Sequence, residues 1–147
     1  MSSKNKVLCA ARKYLRRGWR VVSVPHKQKA PQIRGWQKLR IEEGELHDYF
    51  REEGNIGLLL GRPSRRLVDI DLDCDESIFL TSSFLPQTGR RHGRKSKPNS
   101  HHFYYAKPTP EPKKFSDVDG TSIVELRSTG QQTVVPPSYH PSGERIK

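Results

Sequence analysis

The chain has 147 residues, a net charge of +11 and a pI near 10.0, with 29% charged and 32% hydrophobic residues. No stretch approaches the roughly 18 apolar residues of a membrane-spanning helix, and the basic N-terminus lacks the apolar run of a signal peptide. Cys9 and Cys74 make neither a disulfide framework nor a metal spacing, so both read as reduced, structural thiols.

A chain this basic is expected to meet a polyanion, and a cytoplasmic nucleic-acid partner is favoured over a membrane surface. The charge is uneven. The first 41 residues carry 12 Lys or Arg and no acid, and a second acid-free run covers Ser77 to Pro110. Acids gather at 42–53 and in one short stretch near mid-chain. A basic surface around an acidic centre suits an enzyme that holds phosphates and metal ions. Eleven Gly and eleven Pro mark many turns, which fits a mixed α/β or β-rich fold better than a helix bundle.

In chain order, Ser2 or Ser3 is expected to cap a helix running to about Arg17, with Val7, Leu8, Ala11 and Leu15 as its apolar stripe and Gly18 as its stop. Trp19 to Val24 reads as a strand. The aperiodic loop from His26 to Trp36 offers Lys29, Arg34 and Trp36 for phosphate and stacking contacts, or is a surface loop pinned by a half-buried Trp. A short helix is expected over 42–51. Asn55 to Leu60 is a continuous apolar run and so a buried strand. The turn Gly61-Arg-Pro-Ser64 leads into the next strand, which makes these two strands expected antiparallel neighbours.

That next strand, Leu67-Val-Asp-Ile-Asp-Leu-Asp73, carries the strongest signal. Its period of two puts Asp69, Asp71 and Asp73 on one face and Val68, Ile70 and Leu72 on the other. Three adjacent carboxylates repel one another and are costly to bury, unless a divalent cation sits over them. The plain alternative is an exposed edge strand guarded by its acids.

Asp75 is expected to cap a short helix with Ile78, Phe79 and Leu80. Gln87 to Asn99 reads as a mobile basic loop whose Arg90, Arg91, Arg94, Lys95 and Lys97 suit a triphosphate or a template backbone. Ser100 to Ala106 is a strand with Ser100, His102 and Tyr104 on one face and His101, Phe103 and Tyr105 on the other. Lys107 to Asp119 reads as loop. Ser122 to Arg127 is a strand whose Glu125 and Arg127 share a face. Ser128 to Gln131 reads as a hairpin turn, Thr133 to Val135 as the return strand, and no element is expected after the turn at Pro141 to Gly143.

Three strands thus carry polar residues where a core would want apolar ones. Together they outline carboxylates for two cations, a histidine and an arginine, the components of two-metal nucleotidyl transfer. The order of an aspartate strand, then Ser100-x-His102, then Glu125-Leu-Arg127 resembles the three-motif signature of the archaeo-eukaryotic primase superfamily. The chain is most similar to the bifunctional primase/polymerase (Prim-Pol) domain of plasmid, phage and mobile-element replication proteins. The likeness also takes in Gly18-Trp19, Lys29-x-Pro31, Gly35-Trp36, Asn55-Ile-Gly57, Gly61-Arg-Pro-Ser64, Pro136-Pro-Ser138 and Pro141-Ser-Gly143.

The resemblance implies an α+β fold built on an RRM-like antiparallel or mixed sheet with flanking helices. It implies template-directed primer or DNA synthesis from nucleoside triphosphates, with two Mg²⁺ or Mn²⁺ ions. Asp71 is then the leading metal ligand, partnered by Asp69 or Asp73, with Glu125 as the further carboxylate. Of the adjacent histidines, the Ser-x-His spacing selects His102 as the contact to the triphosphate, beside Ser100, Arg127 and Lys29. The chain reads as one domain over 1–147, the N-terminal part of a longer replication protein acting with a helicase domain or protein. It stops soon after the third motif, which leaves a C-terminal truncation open. A metal-dependent nuclease is one alternative, and a non-catalytic single-strand-binding module stacking bases on Phe103, Tyr104 and Tyr105 is another.

Overall fold

A computed structural model describes residues 5–147. It is an α+β structure of antiparallel sheets with few helices. Helix α1 spans Lys6–Arg16 and is capped by Asn5, whose side chain accepts from the Leu8 N–H at 3.0 Å. Ser2 and Ser3 lie outside the described residues. Val7 and Ala11 are buried, and the basic residues lie elsewhere on the helix. The expected 42–51 helix is two separate turns, a 3₁₀ turn at Glu43–Glu45 and α2 at Leu46–Tyr49.

The strands form two sheets. In the first, β2 (Asn55–Leu59) lies between β1 (Val21–Val24) and β8 (Gln132–Val135). In the second, β3 (Leu67–Leu72) is central, between β5 (Lys97–Tyr105) and β7 (Ser122–Arg127), with β4 (Arg91–Arg94) and β6 (Lys113–Ser116) at the edges. The short helices α3 (Asp75–Phe79) and α4 (Thr81–Phe84) follow β3. Leu67 and Phe103 of the second sheet join Val21, Ile56, Leu58 and Val135 of the first, together with Val7, Ala11, Trp19 and Leu46, in one buried cluster. The apolar contact therefore lies between the sheets, with α1 and α2 against it.

The structure corrects several sequence expectations. Successive strands β2 and β3 are not ladder neighbours; they belong to different sheets and touch through one bridge, Gly61 to Leu67. Gly61 makes the crossing possible. It has φ +74°, and a Cβ there would fall 2.1 Å from Thr129 Oγ1. Arg65 and Arg66 then take left-handed backbone angles, turning the chain toward the second sheet. Likewise β8 does not return along β7 but crosses to β2, so Ser128 to Gln131 is not a hairpin turn. The basic segment 87–99 is a loop only over its first four residues. From Arg91 on it builds the β4–β5 hairpin, with Lys95 in the turn. Its ladder is invisible to apolar periodicity because its side chains are mostly basic and polar. Strand β6 arises inside the expected 107–119 loop. The last residues also pair: Tyr139 bridges Arg145, and Gly93 and Lys147 exchange backbone hydrogen bonds at 2.9 Å.

Candidate active site

Register decides which side chains meet. Asp71 is paired with His101 on one side and with Glu125 on the other. Residues opposed across antiparallel strands project from the same face. One face therefore gathers Asp69, Asp71, His101, Glu125 and Arg127, with Asp73 just beyond the end of β3.

Asp71, Asp73 and Glu125 each offer a carboxylate oxygen, and these oxygens lie within 4.8 Å of one another. Three clustered carboxylates are a hard donor set, and they fit a hard divalent cation rather than a soft metal. Arg127 compensates the charge, 2.9 Å from Asp71 Oδ2 and 3.3 Å from Glu125 Oε2. Ser122 Oγ donates to Asp73 Oδ2, and Gln131 Nε2 donates to Glu125 Oε1 at 3.4 Å. Burial pushes the Asp71 carboxyl up, against the pull of His101 and Arg127, and Asp69 and Asp73 raise it further. Burial works against the Arg127 charge, but Asp71, Asp69 and Glu125 outweigh it and raise its pKa. Proton and cation thus compete for Asp71, and a divalent ion would relieve the crowding.

Asp69 does not join this group. It is fully buried, and its Oδ2 accepts from Thr133 Oγ1 at 2.6 Å and from His101 Nδ1 at 2.8 Å. The second ring nitrogen of His101 lies 3.6 Å from Asp71 Oδ1. Burial opposes charge on both partners, yet their mutual attraction holds Asp69 below the ordinary carboxylate range and His101 above the ordinary imidazole range. That pairing favours the charged form of His101 beside the acids. Its ring stacks on His92, with centroids 4.6 Å apart and planes 4° apart. Burial pushes His92 down to about 3, so that ring stays neutral.

His102, selected from sequence as the nucleotide contact, faces the other way. It opposes Ile70, its Nε2 meets the Asn99 carbonyl at 2.9 Å, and it borders the α3–α4 side of the sheet. The imidazole on the acid face is His101. Ser-x-His spacing could not choose between them, because the choice depends on the register of β5 against β3.

The acid face opens into a cavity of about 120 Å³ whose wall includes Asp71, Asp73, His101, Arg127, Lys29 and Lys97. Ser100 and Arg94 border it as well. Lys97 Nζ donates to the Asp73 carbonyl at 2.7 Å, and Arg94 pairs with Glu144 at 3.0 Å. Arg90 and Arg91 line a different cleft, and Lys95 is exposed in its turn. The rings once grouped as a stacking surface are split. Phe103 is buried, Tyr104 donates to the Pro86 carbonyl at 2.6 Å, and Tyr105 is exposed on the opposite face from Tyr104. Sequence reasoning missed His92, Thr133 and Gln131, which hold the site's charged groups, and Tyr139 and His140, which wall the cavity from the last segment. None stands in a pattern a reader could have isolated.

The site is thus an antiparallel sheet carrying clustered acids that could hold a metal ion, an Asp69–His101 pair and a basic rim. The model of the family described as bifunctional DNA primase/polymerase, N-terminal (Prim-Pol), matches residues 11–147, and the chain belongs to that family. Among curated proteins no match is found.

Proposed function

We propose that the protein catalyses template-directed nucleotidyl transfer by a two-metal mechanism, as a primase and DNA polymerase in replication of a plasmid, phage or mobile element. The reading takes residues 1–147 as one RRM-like catalytic domain, the N-terminal part of a longer protein working with a helicase. The observation that carries it is the carboxylate group Asp71, Asp73 and Glu125 beside the Asp69-held imidazole of His101. The carboxylates would hold the ions. Bound there, the ions would supply activation of the attacking 3′-hydroxyl and charge neutralisation at the leaving pyrophosphate.

The chain's own groups complete the chemistry. His101, whose charged form Asp69 favours, would present its ring to a triphosphate held at the acids. Lys29 and Lys97 place ammonium groups around the same cavity. Arg127, paired with acids in this structure, would turn to phosphate oxygens once cations replace it. Asp69 would act one layer back, keeping His101 charged and oriented.

A primed template with labelled deoxy- and ribonucleotides and Mn²⁺ or Mg²⁺ tests this. Extension that disappears in Asp71→Asn supports the proposal. Shortening of the strands instead would favour a nuclease, and binding without either would favour a non-catalytic module.

A further inference from the structure

A second cleft, of about 550 Å³, opens on the far side of the paired imidazoles. His92 lines it, while the stacked partner His101 lines the acid cavity. Three guanidinium groups from three separate segments converge on it: Arg17 after α1, Arg65 between β2 and β3, and Arg90 just before β4. No carboxylate lines it, and the ion pairs of the described residues include none of these arginines. A recess of about 380 Å³ shares Arg65 and Tyr105 and adds Arg66 and Lys107.

The floor is rigid and aromatic. Trp19 is buried between Tyr14 and Phe103, and its Nε1 donates to Tyr105 Oη at 2.8 Å. Arg17 lies 5.3 Å over the Trp19 ring, and Arg90 and Arg65 lie 5.0 and 5.9 Å from the Tyr105 centroid. A guanidinium resting on a ring keeps its N–H edge free for phosphate oxygens. Gly18 makes room for this: a Cβ there would sit 2.5 Å from Arg65 Cδ.

Unpaired like charges repel and weaken the fold, so such a cluster points to an anionic occupant. The cations are strung over two joined recesses rather than focused on one point, which matches a chain of phosphodiesters better than one compact triphosphate. The exposed Tyr105 ring beside these cations suits an unpaired strand, whose bases are free to stack, better than a duplex. We propose that it holds the sugar–phosphate backbone of a single-stranded polynucleotide and leads that strand toward the acid cavity past the His92–His101 stack. This extends the polymerase reading, but its test needs no catalysis.

The test is fluorescence anisotropy of a labelled thymidine oligonucleotide against a salt series, without nucleotides or metal. The proteins are the full chain, Arg17→Ala/Arg65→Ala, Arg65→Ala/Arg90→Ala, and Lys113→Ala/Lys114→Ala on the exposed β6 edge as a charge-matched control. Each cleft variant should bind at least about tenfold more weakly, and its log–log salt slope should become shallower by about 1.4, since each phosphate contact to a single strand contributes about 0.7. The β6 control should retain most of the affinity. Equal loss in the control, an unchanged slope in the cleft variants, or the same dependence for a blunt duplex would overturn the proposal. So would loss of Mn²⁺-ATP affinity in the cleft variants with oligonucleotide binding intact, which would make the cleft a triphosphate pocket. The changed arginines are exposed, so circular dichroism should be unaltered. If Asp71→Asn left extension intact while these slopes changed, the catalytic reading would fail and the strand cleft would stand.

Discussion

Three side chains separate the proposed chemistry from alternatives at the residue scale. Asp71 stands in the carboxylate group and faces both His101 and Arg127, so Asp71→Asn should lower nucleotide incorporation by at least about a hundredfold, the usual scale for a lost charge-stabilising group. The two histidines should differ sharply. His101→Ala is expected to cost about a hundredfold in steady-state incorporation, whereas His102→Ala, on the opposite face, should cost less than about fivefold. Equal losses would undo the assignment of faces. His92 governs acid stability. Burial holds its folded pKa near 3, below the ordinary imidazole value of 6.5. The unfolded chain therefore takes up a proton that the folded one refuses, and stability falls as pH drops below 6.5, by up to about 1.4 kcal/mol per pH unit. His101 has the opposite sign, since its raised pKa favours the fold at low pH and that contribution fades as pH rises through it. Denaturant midpoints for His92→Phe between pH 7 and 4 should show a flatter acid limb than the parent chain.

At the scale of elements, the segment after β8 matters more than its lack of regular structure suggests. Glu144 ties it to the β4–β5 turn, accepting from Ser96 N–H at 2.8 Å and Ser96 Oγ at 2.7 Å. Those bonds, with help from Ser142 and Arg94, hold the Glu144 carboxyl down at about 2, against an ordinary 4.5. The stabilisation is complete above about pH 4.5 and is lost as pH falls toward 2. Glu144→Gln should therefore be less stable than the parent at pH 7 and indistinguishable from it near pH 2, by urea midpoint. The β2–β3 crossing is the other sensitive element. Gly61→Ala combines a positive φ with a collision against Thr129, and should lower unfolding free energy by about 1–3 kcal/mol in urea titration. Both predictions concern connections, where the two sheets are joined to one another and to the site.

For the whole molecule, a cation bound to the folded state alone raises stability by mass action, about 2.7 kcal/mol at a hundred times its dissociation constant. Mn²⁺ should then raise the melting temperature of the parent chain by several degrees, and Asp73→Asn should abolish most of the rise while leaving the metal-free midpoint within about 2 °C. A shift of equal size in the variant would place the ion elsewhere. The +11 charge adds a second global property: affinity for single strands should fall steeply with salt.

How much of this was legible in the chain depends on the range of the interactions involved. Period-two alternation, a local property, marked β3, β5 and β7 as the strands that matter and put Asp69, Asp71 and Asp73 on one face and Glu125 with Arg127 on another; the choice of Asp71 and Glu125 came from the resemblance to a family. Clustered Lys and Arg marked the basic segments of the surface, and the ordered motifs pointed to the Prim-Pol family, to which the chain belongs. Register was not legible, because sliding β5 by one residue exchanges His101 for His102 without altering any local preference. Strand order was equally hidden: β2 and β3, adjacent in sequence, separate into two sheets because a single glycine and two left-handed residues redirect the chain. Asp69 looked equivalent to its neighbours until the packing of Thr133, from the other sheet, turned it from the other carboxylates to the imidazole. Composition and periodicity determined which residue types the site contains. Only the packing of one sheet on the other decided which carboxylates converge, which histidine joins them and where the unpaired arginines gather, since each of those depends on neighbours far away in sequence.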